Sequence, residues 1–338
     1  MLKRLMRGES LSEDEASNLL SVLIDEATTD AQIAGILTAL ALKGESIDEL
    51  TGLAGAMRAR SVRVISRHQQ FIDTAGTGSS AVKTFNVSTA AAFVIAGAGL
   101  PVAKHGARAA TSLSGSADVL GALGINIEAA PEVTATLLDE IGVCFMFAPL
   151  YHRATARVAK VRRELGTHTV FNLIGPLTNP ANAPFQLLGV ARPDMLEPLA
   201  HAALRLGVRR VWAVRGSDGL DEITLNGETK VAEAADGRVS TFTISPADFG
   251  LAPSSMNELQ RSGAAENARV IADVLSGARR DAARSIVIIN AAAALYIGGR
   301  ATSLADGARA AQLSIESGAA QLKLEQFRTA TNQQSSNQ

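Results

Sequence analysis

The stretch that most restricts the fold of this chain is DTAGTGSSAVKTFNVST, residues 73–89. The apolar lead-in Phe71, Ile72 and Asp73 reads as a strand emptying into a loop with Gly76 and Gly78, and an apolar helix begins near Val87. Glycines let the backbone come close to a ligand, and the first turn of a helix presents N–H groups that no helical carbonyl satisfies. Together they make a site for phosphate-type anions. A glycine loop alone is no more than a tight turn. Here a second segment follows, KHGARAATSLSGSAD at 104–118, with a lysine, a histidine, arginine and several hydroxyls. Two such loops in succession point to an anionic ligand.

The first sixty residues are helical, and their punctuation is clear. Three capping boxes follow one another, Ser12 with Glu15, Thr29 with Gln32 and Ser46 with Glu49, each ahead of apolar residues at helical spacing. An all-helical unit over 1–65 is expected. From about residue 71 the texture changes to short apolar strands alternating with helices. Strands are predicted at 71–73, 101–104, 143–147, 187–190, 208–214, 240–244 and 285–289, with helices such as 131–141 and 193–206 between them. That alternation predicts an α/β domain over 70–325 with a mostly parallel sheet, whose sites lie beyond the carboxyl ends of its strands. The end of the chain, 326–338, reads as a polar tail.

Charge is balanced, 32 basic against 33 acidic residues, and the arginines are dispersed, so no footprint for nucleic acid or membrane is read. The lone cysteine, Cys144, sits in an apolar run and reads as a small core residue. The opening MLKRLMRGESLSEDE has no apolar signal region, and the apolar run at 90–103 is too short and glycine-rich to span a bilayer. A soluble, cytoplasmic protein is expected. His152, His168 and His201 are scattered without metal-ligand spacing and read as structural or incidental. Neither a dinucleotide-binding fingerprint nor a GxSxG elbow occurs, which disfavours hydride transfer and serine hydrolysis.

Along nearly its whole length the chain resembles the anthranilate phosphoribosyltransferase family. The likeness rests on GTG (76–78), KTFNVSTA (83–90), KHG (104–106), SGSADVL (114–120), FAPLYH (147–152), VRRELGTHTVFNLIGPLTNP (161–180) and GLDE (219–222), in family order and spacing. Two positions depart. Ser79 and Ser80 stand where the family usually has Gly-Asp, and Ala107 stands where it usually has Asn. The resemblance implies a small helical domain packed on a larger α/β domain of the nucleoside phosphorylase/phosphoribosyltransferase type. It implies a site in the cleft between them, a segment near 160–185 returning to the helical domain, and a homodimer through that domain.

It also implies roles for residues. Phosphoribosyl pyrophosphate would be held by Gly76, Ser79, Ser80, Thr84, Asn86, Val87, Ser88, Thr89, Lys104, His105, Gly106, Ala107, Arg108, Ala109, Ala110, Thr111, Ser112 and Ser116. Gly76, Ala107 and Arg162 would meet anthranilate, with Arg162 facing its carboxylate. Ser88, Asp221 and Glu222 would serve Mg2+ on the pyrophosphate, since magnesium takes few hard oxygen ligands and keeps waters. No residue is singled out as acid or base, because an oxocarbenium-like sugar needs positioning and electrostatics more than a strong base. Locally, Asp221–Glu222 reads as an acidic turn, and the family context reverses that; for Arg162 and Arg163, on a helix with Glu164, surface charge is the alternative reading. Three other readings stay open at this point: another aromatic amine as acceptor, a nucleic-acid-binding relative without catalysis, and a nucleoside phosphorylase. The nucleic-acid-binding reading expects loss of the GTG, NVST and DE elements and a basic surface. The phosphorylase expects nucleobase motifs that these loops lack.

Overall fold

Each of the three capping boxes starts a helix. In the computed structural model, residues 79, 81, 83, 110–113, 256–258, 260–262 and 334–338 fall outside the described part of the chain. A single turn, α1 (Leu2–Leu5), precedes α2 (Glu13–Ile24), α3 (Asp30–Lys43) and α4 (Ile47–Ala59). Ser12, Thr29 and Ser46 accept from the backbone N–H three residues on, and Glu15, Gln32 and Glu49 reach back to the capping residue's own N–H. Glu49 does more: it is buried, it takes the Leu11 N–H at 3.0 Å, and it pairs with Lys43 at 2.7 Å. One carboxylate thus ties α4 to the chain ahead of α2 and to the end of α3.

The rest of the chain builds a sheet with helices on both faces. In order come β1 (Ile72–Asp73), α5 (Val87–Gly97), β2 (Val102–Gly106), α6 (Ser116–Ala122), α7 (Pro131–Glu140), β3 (Val143–Phe147), α8 (Ala148–Tyr151), α9 (Ala156–Leu165), α10 (Val170–Ile174), β4 (Phe185–Gly189) and α11 (Leu196–Arg205). Then follow β5 (Arg210–Gly216), β6 (Thr229–Ala235), β7 (Arg238–Ile244), α12 (Ala264–Leu275), α13 (Ala282–Ile297), α14 (Leu304–Glu316) and α15 (Ala319–Gln333). The strand order is β3-β2-β1-β4-β5-β6-β7. The first five positions are parallel, and β6 and β7 add an antiparallel hairpin at one edge. The chain winds outward from β1 one way and from β4 the other, so the sheet has its switch point between those two strands, where α/β sheets place their ligands.

Two expectations fail. Residues 285–289 lie inside α13, not in a strand. Their unbroken apolar run fits a buried strand or a helix buried on all sides, and the Asp281 side chain, accepting from the Ala283 N–H, starts the helix. The expected polar tail is also shorter than read, since α15 runs to Gln333 with Phe327 and Thr331 buried. Strand β6 was not anticipated: its small alternating residues, TKVAEAA, carry little strand signal by themselves.

The buried residues form two clusters, and the sheet separates them. On β5, Trp212 and Val214 face the core filled by α5 and α13. The alternate residues Val211 and Ala213 face a second core, which contains α11 and the first four helices. Val158, Val161, Val170 and Ile174, from α9 and α10, pack into that second core as well. The segment between β3 and β4 therefore leaves the sheet, joins the amino-terminal helices and returns.

Candidate active site

At the switch point lies a cleft of about 520 Å³, walled on one side by loops from the sheet and on the other by α4, α9 and α10. Its sheet side is organised by Asp73, the last residue of β1, which is fully buried. One oxygen of its carboxylate accepts the Ala75 N–H at 3.1 Å and the His105 N–H at 3.3 Å, and the other accepts from the Asn179 side chain at 2.7 Å. That amide also donates to the Ala103 carbonyl at 2.8 Å. Three segments are thereby fixed together: the GTG loop, the strand carrying KHG and the end of the 161–180 stretch.

The GTG loop leads into α5. Gly78 has φ +64°, which a residue with a side chain rarely adopts. Gly76, Ser80, Thr84, Asn86, Val87 and Ser88 all line the cleft, and the positive end of α5 opens there, its first-turn N–H groups turned onto Phe85, Asn86 and Glu222. Thr89 is buried with its hydroxyl unpartnered. Of the donor residues named from the sequence, Ser79, Ala110, Thr111 and Ser112 lie outside the described residues.

Lys104 enters from β2. Its ammonium donates to the Thr74 carbonyl at 3.3 Å and to the Thr74 and Ser88 hydroxyls, both at 3.2 Å. Burial lowers its pKa, and the carboxylates of Asp73 and Glu222 oppose that fall. Glu222, in the loop after β5, moves the other way. Burial and neighbouring Asp221 raise its carboxyl above the ordinary range, while Lys104 and the Ser88 N–H resist. Ser88, Asp221 and Glu222 thus meet in one cleft although they are far apart in sequence.

The KHG loop is held by Asp118, which accepts the N–H groups of Ala109 at 2.9 Å and Gly115 at 2.8 Å. Arg108 lies beside Asp118 at 3.4 Å and over the Phe147 ring. Gly106 faces the Ser116 hydroxyl so closely that a Cβ on it would sit 2.2 Å away. The Ser114 hydroxyl donates to Asn86 at 3.1 Å and accepts from Asn267 of α12 at 2.6 Å, so a helix late in the chain supports the start of α5.

On the opposite wall Arg162 is largely buried; it donates to the Asn172 side chain at 3.1 Å and lies over the Phe171 ring. Its Nε has no hydrogen-bond partner, and burial lowers its pKa. His105 and His152 pack edge to face with ring centres 5.1 Å apart. Each donates from one ring nitrogen to a backbone carbonyl, Gly175 and Thr178 respectively, and each leaves Nε2 unpartnered. Burial pushes their pKa values down to about 3 and about 4, so both rings are neutral. Met57, Ala159 and Pro176 supply apolar surface beside them. Sequence reasoning missed His152, Asn172 and Met57. His152 closes the FAPLYH stretch, so a signal was there; Met57 is one of many apolar residues on α4, and nothing local marks it.

Comparison with known proteins bears on the family and the fold. The family model described as "Glycosyl transferase family, a/b domain" matches residues 68–321, and "Glycosyl transferase family, helical bundle domain" matches 1–61. The anthranilate phosphoribosyltransferase of Moorella thermoacetica is 48% identical over 87% of this chain and 86% of its own length. The crystal structure of the Thermus thermophilus enzyme superposes with a TM-score of 0.91 at 39% identity, covering 98% of this chain and 99% of that one. The chain belongs to the anthranilate phosphoribosyltransferase family. The Saccharomyces cerevisiae member is 29% identical in its complex with PRPP and Mg, with a TM-score of 0.89 over 98% of this chain and 97% of that one. It has also been solved in complex with 4-fluoroanthranilate, where the TM-score is 0.87.

Ala107, where the family resemblance leads one to expect an amide, puts a methyl group on the cleft wall, and its carbonyl accepts the Ala117 N–H at 3.3 Å. Its loop keeps its shape through backbone bonds, so the change removes a polar group from the cleft without dismantling the wall. Ser80 turns its hydroxyl back onto the Val82 carbonyl, within the loop itself.

Proposed function

We propose that this chain transfers the phosphoribosyl group of phosphoribosyl pyrophosphate to anthranilate, giving N-(5-phosphoribosyl)anthranilate and pyrophosphate, a step of tryptophan biosynthesis. The observation that carries this reading is the opposition within one cleft of an anion-binding helix start flanked by Lys104 and a buried arginine set among apolar and aromatic groups. The first suits a pyrophosphate and a sugar phosphate; the second suits a flat aromatic acid. In the transfer the bond from C1 of the ribose to pyrophosphate breaks, a C1–N bond forms, and the amine gives up one proton.

Gly76, Ser80, Thr84, Asn86, Val87, Ser88, Thr89, Lys104, His105, Gly106, Ala107, Arg108, Ala109 and Ser116 are the described residues assigned to the donor, together with Ser79, Ala110, Thr111 and Ser112 of the undescribed ones. Gly76, Ala107 and Arg162 are assigned to the acceptor. The neutral rings of His105 and His152 keep a lone pair available beside the acceptor's place, which suits hydrogen bonding to an amine. Dry walls around Arg162 strengthen its hold on a carboxylate.

Ser88, Asp221 and Glu222 fit Mg2+. Burial and the neighbouring Asp221 raise the pKa of the Glu222 carboxyl, so added positive charge at this place would favour its ionised form. Such a site suits an ion that keeps waters and shares the oxygens of its substrate. Bound there, magnesium supplies neutralisation of the leaving pyrophosphate.

We assign the protein to the cytoplasm and to a homodimer. No helix among the described residues is long and apolar enough to cross a membrane. Exposed Met6 and Leu42, on adjoining helical segments, offer apolar surface for a partner copy. Light scattering reads the dimer directly. The activity is tested by following anthranilate fluorescence on addition of phosphoribosyl pyrophosphate and magnesium. The expected result is loss of signal with release of pyrophosphate; a flat signal alongside turnover of another aromatic amine overturns the acceptor.

A further inference from the structure

Three backbones are stacked at the switch point. Gly76 of the GTG loop lies against Gly189 at the end of β4, and a Cβ on Gly76 would sit 2.9 Å from the Gly189 carbonyl oxygen. The same oxygen accepts the Thr77 N–H at 2.8 Å, and the Thr77 hydroxyl accepts the Ala191 N–H at 3.0 Å. On its other side Gly189 lies against the acidic loop, where a Cβ would sit 1.8 Å from the Asp221 carbonyl oxygen and 2.9 Å from its carbonyl carbon. That obstacle is backbone, which cannot swing away as a long side chain can. Nor is Gly189 needed for its own conformation, because its φ lies outside the left-handed region. What the position requires is the absence of a side chain.

The acidic loop has nowhere to retreat. Leu220 and Ile223, on either side of Asp221 and Glu222, are buried. Asn290 of α13 grips Ile223 from both sides, accepting its N–H and donating to its carbonyl, each at 3.0 Å. A Cβ at 189 therefore forces the Asp221 peptide to turn rather than slide, and the two carboxylates turn with it.

We propose that Gly189 is the positioning residue that sets the spacing between the GTG loop and the Asp221–Glu222 loop, and so between the sugar-phosphate and metal-pyrophosphate halves of the donor site. This rests on the function proposed above.

The test is Gly189→Ala, with binding of phosphoribosyl pyrophosphate and Mg2+ measured by titration calorimetry and KM values measured separately for donor, magnesium and anthranilate. Binding should weaken about tenfold or more, with the donor and magnesium KM values rising together and partly recovering at excess magnesium. The anthranilate KM at saturating donor should change by less than about threefold. A purely structural role lowers the melting temperature without that split. A folded variant that binds the donor within about twofold of the unsubstituted chain overturns the proposal. If Gly189→Ala does not fold, Thr77→Val loosens the same stack from the other side. Several-fold weaker donor binding then supports the proposal, and unchanged binding overturns it. An unsubstituted chain that binds no donor with magnesium overturns the function and this proposal together.

Discussion

On the sheet side of the cleft, much of the surface that meets a ligand is main chain: the start of α5, the turns at Gly76 and Gly78, and the loop held by Asp118. On the helical side the offering is side chains, with Arg162 steadied by Asn172 and Phe171 and the apolar face of Met57, while the paired rings of His105 on β2 and His152 just after α8 are the sheet side's own side-chain contribution. Backbone recognition tolerates drift in neighbouring side chains but not an added Cβ. Side-chain recognition is retuned by single substitutions. On the assignment proposed above, the donor half is the fixed part of the site, and the acceptor half is where substrate preference is open to change. Four variants test that contrast, besides the Gly189 variant.

The largest effect is expected from Asp221→Asn with Glu222→Gln. Losing the metal's charge stabilisation, which is worth several kcal/mol, should lower kcat/KM by about a hundredfold or more and raise the magnesium requirement. The protein should not melt earlier. The raised pKa of Glu222 means that its ionised form is disfavoured in the folded chain, so it contributes less stability as pH rises through that range. A neutral isostere removes that loss, and the melting temperature near pH 8 should hold or rise. An unchanged rate at limiting magnesium would return these residues to the status of an acidic turn.

Arg162→Ala addresses the other wall. A charge-assisted bond to a carboxylate contributes about 1.5–3 kcal/mol, so the KM for anthranilate should rise roughly ten- to a hundredfold while the donor's stays level. If only the donor's KM responds, the two walls are not separate in function. Ala107→Asn restores the usual amide at the edge between them. Regaining one polar contact, of order 1 kcal/mol, should raise kcat/KM for anthranilate several-fold with little change in melting temperature. A fall in activity, with another amine preferred by the unsubstituted chain, would make Ala107 a specificity residue.

The last test concerns stability rather than rate, at His152. Its folded pKa of about 4 lies below the unfolded value of about 6.5, so the neutral ring stabilises the fold above the unfolded value and that contribution is lost as pH falls toward the folded one. The stability advantage of the unsubstituted chain over His152→Gln should therefore shrink between about pH 7 and pH 5, by at most about 1.4 kcal/mol per pH unit. A constant difference in melting temperature across that range would mean that the ring is not held neutral.

What could be read from the sequence follows the same division. The capping boxes at Ser12, Thr29 and Ser46 were legible because a cap is a local bond between residues three apart. Most strands and the glycine loops were legible because they too are local patterns, and the family motifs supplied the candidate site residues. Residues 285–289 misled because an apolar run buried on all sides loses its period, and β6 escaped because its residues are small. Gly189 was invisible for another reason. A glycine's meaning depends on what lies across from it, and Asp221 is brought there only by the crossover from β4 to β5 and the loop beyond. Likewise His152 meets His105 only once β2 and β3 are paired.

The second core has a consequence for anyone recombining members of this family. The helical-bundle match ends at residue 61, which invites an exchange of that segment between relatives. Yet the core it belongs to continues through Val158, Val161, Val170 and Ile174, through Leu199 and Ala203 of α11, and onto Val211, Ala213, Ala232 and Ala234 of the sheet. A chimera cut at residue 61 joins two half-cores shaped by different histories, with mismatched volumes along its whole seam. A transplant that respects the packing has to carry α9, α10 and α11 along with the first four helices, and it takes Arg162 and Met57 with it. Swapping the fold's smaller half in this way also swaps the wall proposed for the acceptor.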